Sequence, residues 1–150
     1  MTTAANTLYD LIRLVRPLYK TLESAVARTL EPIGLTVTER AVLEQLHDNG
    51  PTPVPRIADA LLAPRQFIQK TANGLIEAGL VERRSNTAHR RSSLMALTDT
   101  GKSEIAEILK REAGITASVA AELSAADVAT AQHVIRTIID GFKEKEHTDG

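Results

Sequence analysis

The most informative stretch of the chain runs from residue 54 to residue 101. It reads VPRIADALL over residues 54–62, APRQFIQKTANGLIEAGL over residues 63–80, VERR over residues 81–84, SNTAHRR over residues 85–91 and SSLMALTDTG over residues 92–101. The apolar residues of the first two segments recur every three or four positions, which predicts two helices separated by a turn. The remaining segments predict a β-hairpin with strands over residues 80–84 and 93–97, whose tip carries Arg90 and Arg91. This order of elements is that of a winged helix-turn-helix.

The second of these helices, predicted over residues 65–78, has two different faces. Ile68, Thr71, Ala72 and Leu75 mark the side expected to be buried, and Gly79 is expected to end the helix. The opposite side carries polar and basic residues at a spacing that makes them project together. In a winged helix-turn-helix, this second helix fits the major groove of DNA. The residues of its outward side are Arg65, Gln66, Gln69, Lys70 and Asn73.

Charge is distributed unevenly along the chain. The net charge is −1, but the segment from Arg56 to Arg91 contains seven basic residues against three acidic ones. Affinity for duplex DNA comes largely from local positive charge, because that charge displaces counterions from the phosphates. The pattern therefore favours a basic DNA-binding module, at about residues 36–98, on an acidic body. The alternative is that these charges only solvate a surface.

Long helices are predicted on both sides of this module. The first covers about residues 4–30 and is expected to kink near Pro17, because a proline cannot donate a hydrogen bond to the carbonyl of Arg13. Thr36 and Glu39 have the spacing of a capping box for the helix that follows. Two further helices are predicted, one over residues 99–123 with Thr98 as its cap and one from residue 125 onward, with the polar tail fraying beyond about Lys143. The whole of residues 1–150 is then a single, mainly α-helical domain with a small β-hairpin.

The terminal regions, at about residues 4–33 and 99–145, each carry a row of apolar residues along one side of a helix, which we call a seam. These apolar seams predict a homodimer. Their spacing alternates between three and four residues, as in helices that pack on another helix. Terminal helices that bury little against a central module most easily cover such seams by packing on a second copy. The alternative is that the helices pack only on each other within one chain. The residues predicted at the dimer interface are Leu8, Leu11, Val15, Leu18, Ile135, Ile138 and Phe142.

These residues resemble those of MarR-family transcriptional regulators, and the resemblance covers nearly the whole chain. The family's wing pattern is Asp-x-Arg, five residues, Leu-Thr, two residues and Gly. The same register here gives HRR at residues 89–91, LT at residues 97–98 and Gly101. Only the leading Asp departs from the pattern, since His89 stands in its place. The resemblance implies a winged helix-turn-helix regulator of transcription that binds a pseudo-palindromic DNA site as a dimer.

Each exposed residue of the second helix has its own chemistry toward DNA. Gln66 and Gln69 can each pair with N6 and N7 of adenine. Arg65 and Lys70 can reach guanine or a phosphate. These four residues, together with Asn73, form the predicted reading face.

The wing and two further side chains complete the predicted DNA interface. Arg56 is expected to contact a phosphate, which positions the protein on the DNA but does not distinguish between base sequences. Phe67 either contacts a thymine methyl or belongs to the core. The resemblance implies that Arg91 enters the minor groove, with Arg90 beside it. The resemblance implies that the family's Asp holds the wing arginine in place by pairing with it, and His89 cannot pair with Arg91 as an anion. Protonation of His89 would instead add positive charge, which would make DNA affinity sensitive to pH. The alternative is an exposed histidine without a role.

Many MarR-family proteins also bind small aromatic acids or drugs, so the resemblance implies a repressor that a small aromatic or phenolic ligand releases from DNA. Arg16, Tyr19 and His47 are the candidate ligand contacts. An arginine suits a carboxylate because its planar fork matches both oxygens. The alternative is that these are surface or seam residues and that the regulator senses no ligand.

The composition argues against several other kinds of protein. The chain has no cysteine, which excludes disulfides and thiolate metal sites, and its four histidines lack metal-binding spacing. No Gly-rich phosphate loop and no Gly-x-Ser-x-Gly elbow appears. We therefore expect no enzyme, no cofactor and no metal. The lack of a signal peptide or a long apolar run predicts a cytoplasmic protein. A winged helix that serves as a protein-interaction adaptor is a further alternative.

Overall fold

The computed structural model describes residues 1–89 and 91–148, and the chain divides into two compact units, Met1–Glu112 and a unit that begins at Ala113. The predicted fold class is confirmed, since the described residues are mainly helical with one antiparallel hairpin. None of the helices they form has the length and apolar character needed to cross a membrane. In chain order the elements are α1 (Thr3–Arg13), α2 (Val15–Leu30), a 3-10 turn (Glu31–Ile33), α3 (Val37–Asn49), α4 (Val54–Leu61), α5 (Arg65–Glu77), β1 (Val81–Ser85), β2 (Ser93–Leu97), α6 (Asp99–Ala120) and α7 (Ala125–Thr148).

The predicted N-terminal helix is in fact two helices. α1 ends at Arg13, and α2 begins at Val15 after a break at Leu14. Pro17 accounts for the break, because it has no N–H to donate to the carbonyl of Arg13 and the helical ladder is interrupted one turn before the proline. The expected kink near this point is confirmed, whereas a single continuous helix over residues 4–30 is wrong.

The core of the first unit lies within the winged helix-turn-helix. α3 begins with the predicted capping box, in which the N–H of Glu39 donates to Thr36 Oγ1 and the N–H of Thr36 donates to Glu39 Oε1, each at 3.0 Å. The apolar sides of α3, α4, α5 and the start of α6 then pack together against the hairpin. The largest of the deeply buried side chains, each exposing at most 1% of its surface, are Leu30, Leu43, Ile57, Ile68, Leu75, Met95, Ile105 and Ile108.

The wing hairpin has the predicted strands, shifted by one residue in β1. Val81 lies opposite Leu97, and Ser85 lies opposite Ser93. Thr52 adds a short third partner, because it exchanges two backbone hydrogen bonds of 2.9 Å with Met95. The base of the wing is therefore held by the segment that precedes α4.

The hairpin rejoins the helices at a corner that we call the Thr98 clasp, formed by Gly79, Leu80, Thr98 and Gly101. Thr98 Oγ1 donates to the carbonyl of Gly79 at 2.6 Å and accepts from the N–H of Gly101 at 3.0 Å, which confirms Thr98 as the cap of α6. The backbone N–H of Thr98 also donates to the carbonyl of Leu80 at 3.1 Å. Gly101 packs so closely that a Cβ there would lie 2.0 Å from the carbonyl oxygen of Leu80. The Leu-Thr-x-x-Gly part of the wing pattern thus joins the segment after α5 to the start of α6.

An ion-pair cluster that the sequence does not reveal joins α3 to α6. Arg40 Nε donates to Glu112 Oε1 at 2.7 Å, and its terminal nitrogens pair with Glu112 and Glu44. The hydrogen bonds to Glu112 raise the pKa of Arg40 above its ordinary value and outweigh the effect of burial. The arginine is therefore charged at any pH at which the protein is folded, and it fixes the position of α3 against this part of α6.

Both C-terminal helix ends differ from the prediction. α6 ends at Ala120 instead of residue 123, because the next residues form tighter backbone bonds, such as Leu123 N–H to the carbonyl of Ala120 at 3.0 Å. The expected fraying beyond Lys143 is wrong, since α7 continues to Thr148. Lysine and glutamate are good helix formers, and a basic residue such as Lys145 near a helix C-terminus interacts favourably with the helix dipole.

Leu62, in the turn between α4 and α5, gives a stability prediction. Its backbone is left-handed, with φ 51° and ψ 42°, and its side chain is 88% exposed. Leu62→Gly is expected to raise the free energy of unfolding by about 0.5–1 kcal/mol in urea denaturation, because glycine adopts this conformation without strain and no buried contact is lost. Ala60→Gly on the exposed side of α4 is the matched control and should lower it by a similar amount. If Leu62→Gly and Ala60→Gly lowered the free energy of unfolding equally, the backbone strain at Leu62 would be contradicted.

Candidate nucleic-acid interface

α5 presents the predicted reading face to solvent. The helix begins after Pro64, which supplies no side-chain cap. Ile68, Ala72 and Leu75 are fully buried, which fixes the rotation of the helix and turns its opposite face outward. The residues exposed on α5 include Arg65, Gln66, Phe67, Lys70 and Asn73, with Gln69 half-buried among them.

Phe67 belongs to this exposed surface. Its side chain is 49% exposed, so the interpretation that places it in the core is wrong. An apolar ring among polar side chains is suited to contact with the methyl group of thymine. Arg56, on α4, is exposed as well, as a phosphate contact requires.

The reading face is connected to the wing through a group that we call the Asn73 bridge, formed by Gln69, Asn73 and Arg83. Asn73 Oδ1 accepts hydrogen bonds from Gln69 Nε2 at 3.0 Å and from Arg83 Nη2 at 2.9 Å. Arg83 lies on β1 and was not among the predicted site residues. The bridge holds Gln69 in one orientation and ties its position to that of the wing strand. Gln69 and Asn73 are four residues apart on α5, but no local signal in the sequence could have found Arg83 as their partner, because it lies on a different element.

The wing loop is shaped by Asn86, which the sequence reasoning also missed. Asn86 Nδ2 donates to Ser92 Oγ at 3.1 Å, and Asn86 Oδ1 accepts from the N–H of Ala88 at 3.1 Å. The carbonyl of His89 accepts from the N–H of Ser92 at 3.2 Å, which closes the tip. Arg91 is exposed, while Arg90 lies outside the described residues. Asn86 thus orders this loop in a wing whose pattern lacks the family's Asp, and the pH sensitivity expected from His89 stays a prediction.

The three candidate ligand contacts are not brought together around one cavity. His47 lines a cleft of about 380 Å³ that neither Arg16 nor Tyr19 lines. Arg16 and Tyr19 are exposed on α2. A hydrogen bond to Glu23, with the charge of the same carboxylate, raises the pKa of Tyr19 above its ordinary value, so the phenol stays protonated at neutral pH. The other lining residues of the cleft, which we call the His47 cleft, include Arg84, Lys102, Leu46, Ala96 and Leu97.

The residues predicted at the dimer interface are available on the surface of the chain. In the first unit Leu18 is 52% exposed, and in the second unit Phe142 is 60% exposed, although both are large apolar side chains. Ile138 is half-buried. Further large apolar residues are also exposed. They are Leu14 at the break between α1 and α2, Leu22 on α2, Ile115 and Val119 on α6, and Leu123 just beyond α6.

The chain is similar to known proteins over nearly its whole length. A family model described as "MarR family" matches residues 33–92. An uncharacterized protein of Mycobacterium tuberculosis is 30% identical over 139 residues, which cover 93% of this chain and 94% of the relative. The HTH-type transcriptional repressor MdtR of Bacillus subtilis is 25% identical over 146 residues, which cover 97% of this chain and 94% of that protein.

A solved structure has both the same fold and a related sequence. The crystal structure of MarR family transcription regulator SP03579 has a TM-score of 0.83 and 31% sequence identity, with coverage of 100% of this chain and 99% of that chain. The likeness therefore includes the terminal helices as well as the winged helix-turn-helix.

Proposed function

The chain belongs to the MarR family of transcription regulators, and on that premise we propose that it is a homodimeric, sequence-specific repressor that a small aromatic or phenolic ligand releases from double-stranded DNA. Because MarR-family proteins are transcription regulators, the expectation that the chain is not an enzyme is confirmed. The proposed location is the cytoplasm. The repressor role is supported by the relative MdtR, whose name describes it as a transcriptional repressor.

The observation that carries the proposal is the outward face of α5. A helix whose buried side is fixed by the core places Arg65, Gln66 and Lys70 in solvent together. These side chains suit the base edges and phosphates of a major groove, whereas an interface with another protein favours apolar groups. Gln69 and Asn73 are proposed to read bases beside them, and Arg56 to contact a phosphate.

Arg91→Ala tests the proposed minor-groove contact of the wing. Because Arg91 is exposed and carries a full charge into a narrow groove, its loss is expected to weaken binding to operator DNA by about 1–3 kcal/mol. The measurement is a fluorescence-anisotropy titration of labelled duplex. Arg111→Ala, an exposed arginine on α6, is the control and should bind as the wild type does. Unchanged affinity of Arg91→Ala would remove this residue from the interface.

Gln69→Ala tests base reading by α5. Because Gln69 is held by the Asn73 bridge toward the reading face, its removal is expected to reduce discrimination at specific base pairs by about 1–3 kcal/mol each. The measurement compares affinities for duplexes that each carry one base-pair change. A uniform loss across all duplexes would instead identify Gln69 as a backbone contact.

A homodimer explains why the terminal helices expose large apolar side chains. We propose that the seam residues of both units, Leu8, Leu11, Val15, Leu18, Ile135, Ile138 and Phe142, pack on a second copy, which offers equivalent seams. A two-fold dimer presents two copies of α5, and these fit half-sites about one helical turn apart on a pseudo-palindromic operator. Sedimentation of the free protein tests the dimer separately from DNA binding.

Two alternatives predict different outcomes. A protein-interaction adaptor would bind duplex DNA poorly, whereas a DNA-binding regulator binds it with an affinity that falls steeply with salt concentration. A regulator that senses no ligand would bind DNA in the same way, and aromatic compounds would leave its affinity unchanged. Arg16, Tyr19 and His47 remain the proposed ligand contacts, and alanine substitution of each followed by ligand titration tests them.

A further inference from the structure

The side chain of Arg83 leaves β1 on the face that packs against the helices. Arg83 lies opposite Met95 in the hairpin and two residues beyond Val81, and both of these neighbours are buried. Because alternate residues of a strand share a face, the guanidinium lies on the helix side of the wing, where Nη2 donates to Asn73 Oδ1 at 2.9 Å. Within the part of the chain that the structure describes, Arg83 has no carboxylate within ion-pairing distance. Its hydrogen bond to the reading helix therefore has no competing ion pair there.

This hydrogen bond decides which way round the amide of Asn73 is held. A guanidinium has five N–H donors and no acceptor, so it can meet only the oxygen of that amide. The same oxygen accepts from Gln69 Nε2 at 3.0 Å, and Gln69 must therefore turn its nitrogen toward Asn73. Without Arg83, the reverse pair, in which Asn73 donates to Gln69 Oε1, would use the same two amides at the same helical spacing. Arg83 thus selects one of two orientations of the amide pair.

We propose, building on the DNA reading put forward above, that Arg83 is a positioning residue that sets the base preference of Gln69. In the orientation that Arg83 selects, the free edge of Gln69 consists of the oxygen Oε1 and the N–H that does not bond to Asn73. Adenine presents the complementary pair in the major groove, N6 as donor and N7 as acceptor. Guanine presents two acceptors, O6 and N7, so Oε1 would face an acceptor with no proton between them. Gln69 therefore favours adenine over guanine while Arg83 holds the Asn73 bridge.

Loss of Arg83 is expected to relax this preference while α5 keeps its place. The reversed amide pair would turn the amide nitrogen of Gln69 toward the DNA, and an NH2 group suits the two acceptors of guanine. Both orientations are then open to Gln69, so adenine and guanine are bound with similar affinity. The buried side chains that fix the rotation of α5, Ile68, Ala72 and Leu75, are untouched by the substitution. The change should therefore alter specificity and leave the fold intact.

The first test compares two duplexes that differ only at the base read by Gln69, which is adenine in one and guanine in the other. That position is located beforehand as the one at which Gln69→Ala loses discrimination, and fluorescence anisotropy gives the Kd of each duplex. The wild type is expected to prefer adenine about tenfold or more, and Arg83→Met to prefer it about twofold or less. Arg83→Lys should restore the preference, because an ammonium group also only donates.

Arg84→Met is the matched control on the same strand. Arg84 lies on the opposite face of β1, where it pairs with Glu82, and both side chains are 48% exposed. The substitution removes the same charge as Arg83→Met, so any loss of affinity that comes from charge alone appears in both variants. Arg84→Met should nevertheless keep the wild-type preference for adenine.

The second test observes the Asn73 bridge in the free protein. Side-chain amide signals of Gln69 and Asn73 are recorded by NMR in isotopically labelled chain and assigned from Gln69→Ala and Asn73→Ala. Arg83→Met is expected to shift the signals of both amides, because it removes the donor that holds them. Arg84→Met should leave both signals where they are in the wild type.

Each contrary result overturns a defined part of the proposal. If Arg83→Met lowered affinity for both duplexes equally and kept the preference for adenine, Arg83 would be a backbone contact. A wild-type preference for guanine would overturn the orientation of Gln69. Unshifted amide signals in Arg83→Met would overturn the bridge, whether or not the chain binds DNA. Signals that shift as expected, in a chain that binds no duplex, would support the orientation of the amide pair and contradict the proposed regulator instead.

Discussion

Gly101→Ala is expected to lower the free energy of unfolding by about 3 kcal/mol or more, because the added methyl group has no room. A Cβ at this position would lie 2.0 Å from the carbonyl oxygen of Leu80 and 2.9 Å from its carbonyl carbon. These are backbone atoms held by the Thr98 clasp, so they cannot rotate away as the end of a flexible side chain can. The measurement is urea denaturation followed by far-ultraviolet circular dichroism.

Gly114→Ala is the matched control for this variant. It lies further along α6, and a Cβ there would meet no heavy atom within 4 Å. Because alanine is a better helix former than glycine, this variant should gain about 0.5–1 kcal/mol. If the two substitutions changed stability equally, the close packing of Gly101 against Leu80 would be contradicted, and so would the structural role of the wing pattern's glycine.

Leu18→Glu is expected to shift the chain from dimer to monomer. Leu18 is 52% exposed in the single chain and lies within the proposed seam of α2. In a two-fold dimer each substitution occurs twice, and an unpaired carboxylate buried in an apolar interface costs several kcal/mol, about 3–5 by comparison with broken buried ion pairs. Sedimentation velocity over a concentration series measures the change, and operator affinity should fall with it.

Ala27→Glu is the control for the dimer prediction. It adds the same charge to α2 at an exposed position nine residues further on, which a helix places on the side opposite to Leu18. This variant should sediment as the wild type does. If Leu18→Glu remained a dimer, α2 would not belong to the interface. The result would favour the alternative in which the apolar residues of the terminal helices pack on each other within one chain.

Much of the winged helix-turn-helix could be predicted from the sequence because its signals are local. Helical spacing predicted α5 and its buried side, the Thr36 and Glu39 pair predicted the start of α3, and Thr98 predicted the start of α6. Each signal depends on residues within about one helical turn of each other. For the same reason, the sequence predicted a kink near Pro17, whereas it did not predict that the chain would form two separate helices with a break at Leu14.

The interactions that the sequence could not predict connect distant elements. Arg40 and Glu112 are separated by 72 residues, and Arg83 reaches Asn73 from a different element. Neither pair has a spacing that differs from that of unrelated charged and polar residues. The His47 cleft is similar, since Arg84 and Lys102 become neighbours only when β1 and α6 pack near the end of α3. Local patterns therefore predicted the reading helix but not its connection to the wing through Arg83.

Selection of random duplex DNA on the purified wild-type chain, followed by sedimentation of the complex on the enriched sequence, tests the central claim most directly. The account predicts an inverted repeat with half-sites about one helical turn apart, bound by two copies of the chain. The enriched duplex then serves for the Arg91→Ala and Gln69→Ala titrations. Absence of any enriched sequence, from a protein shown to be folded, would contradict a sequence-specific regulator and favour a winged helix that contacts protein.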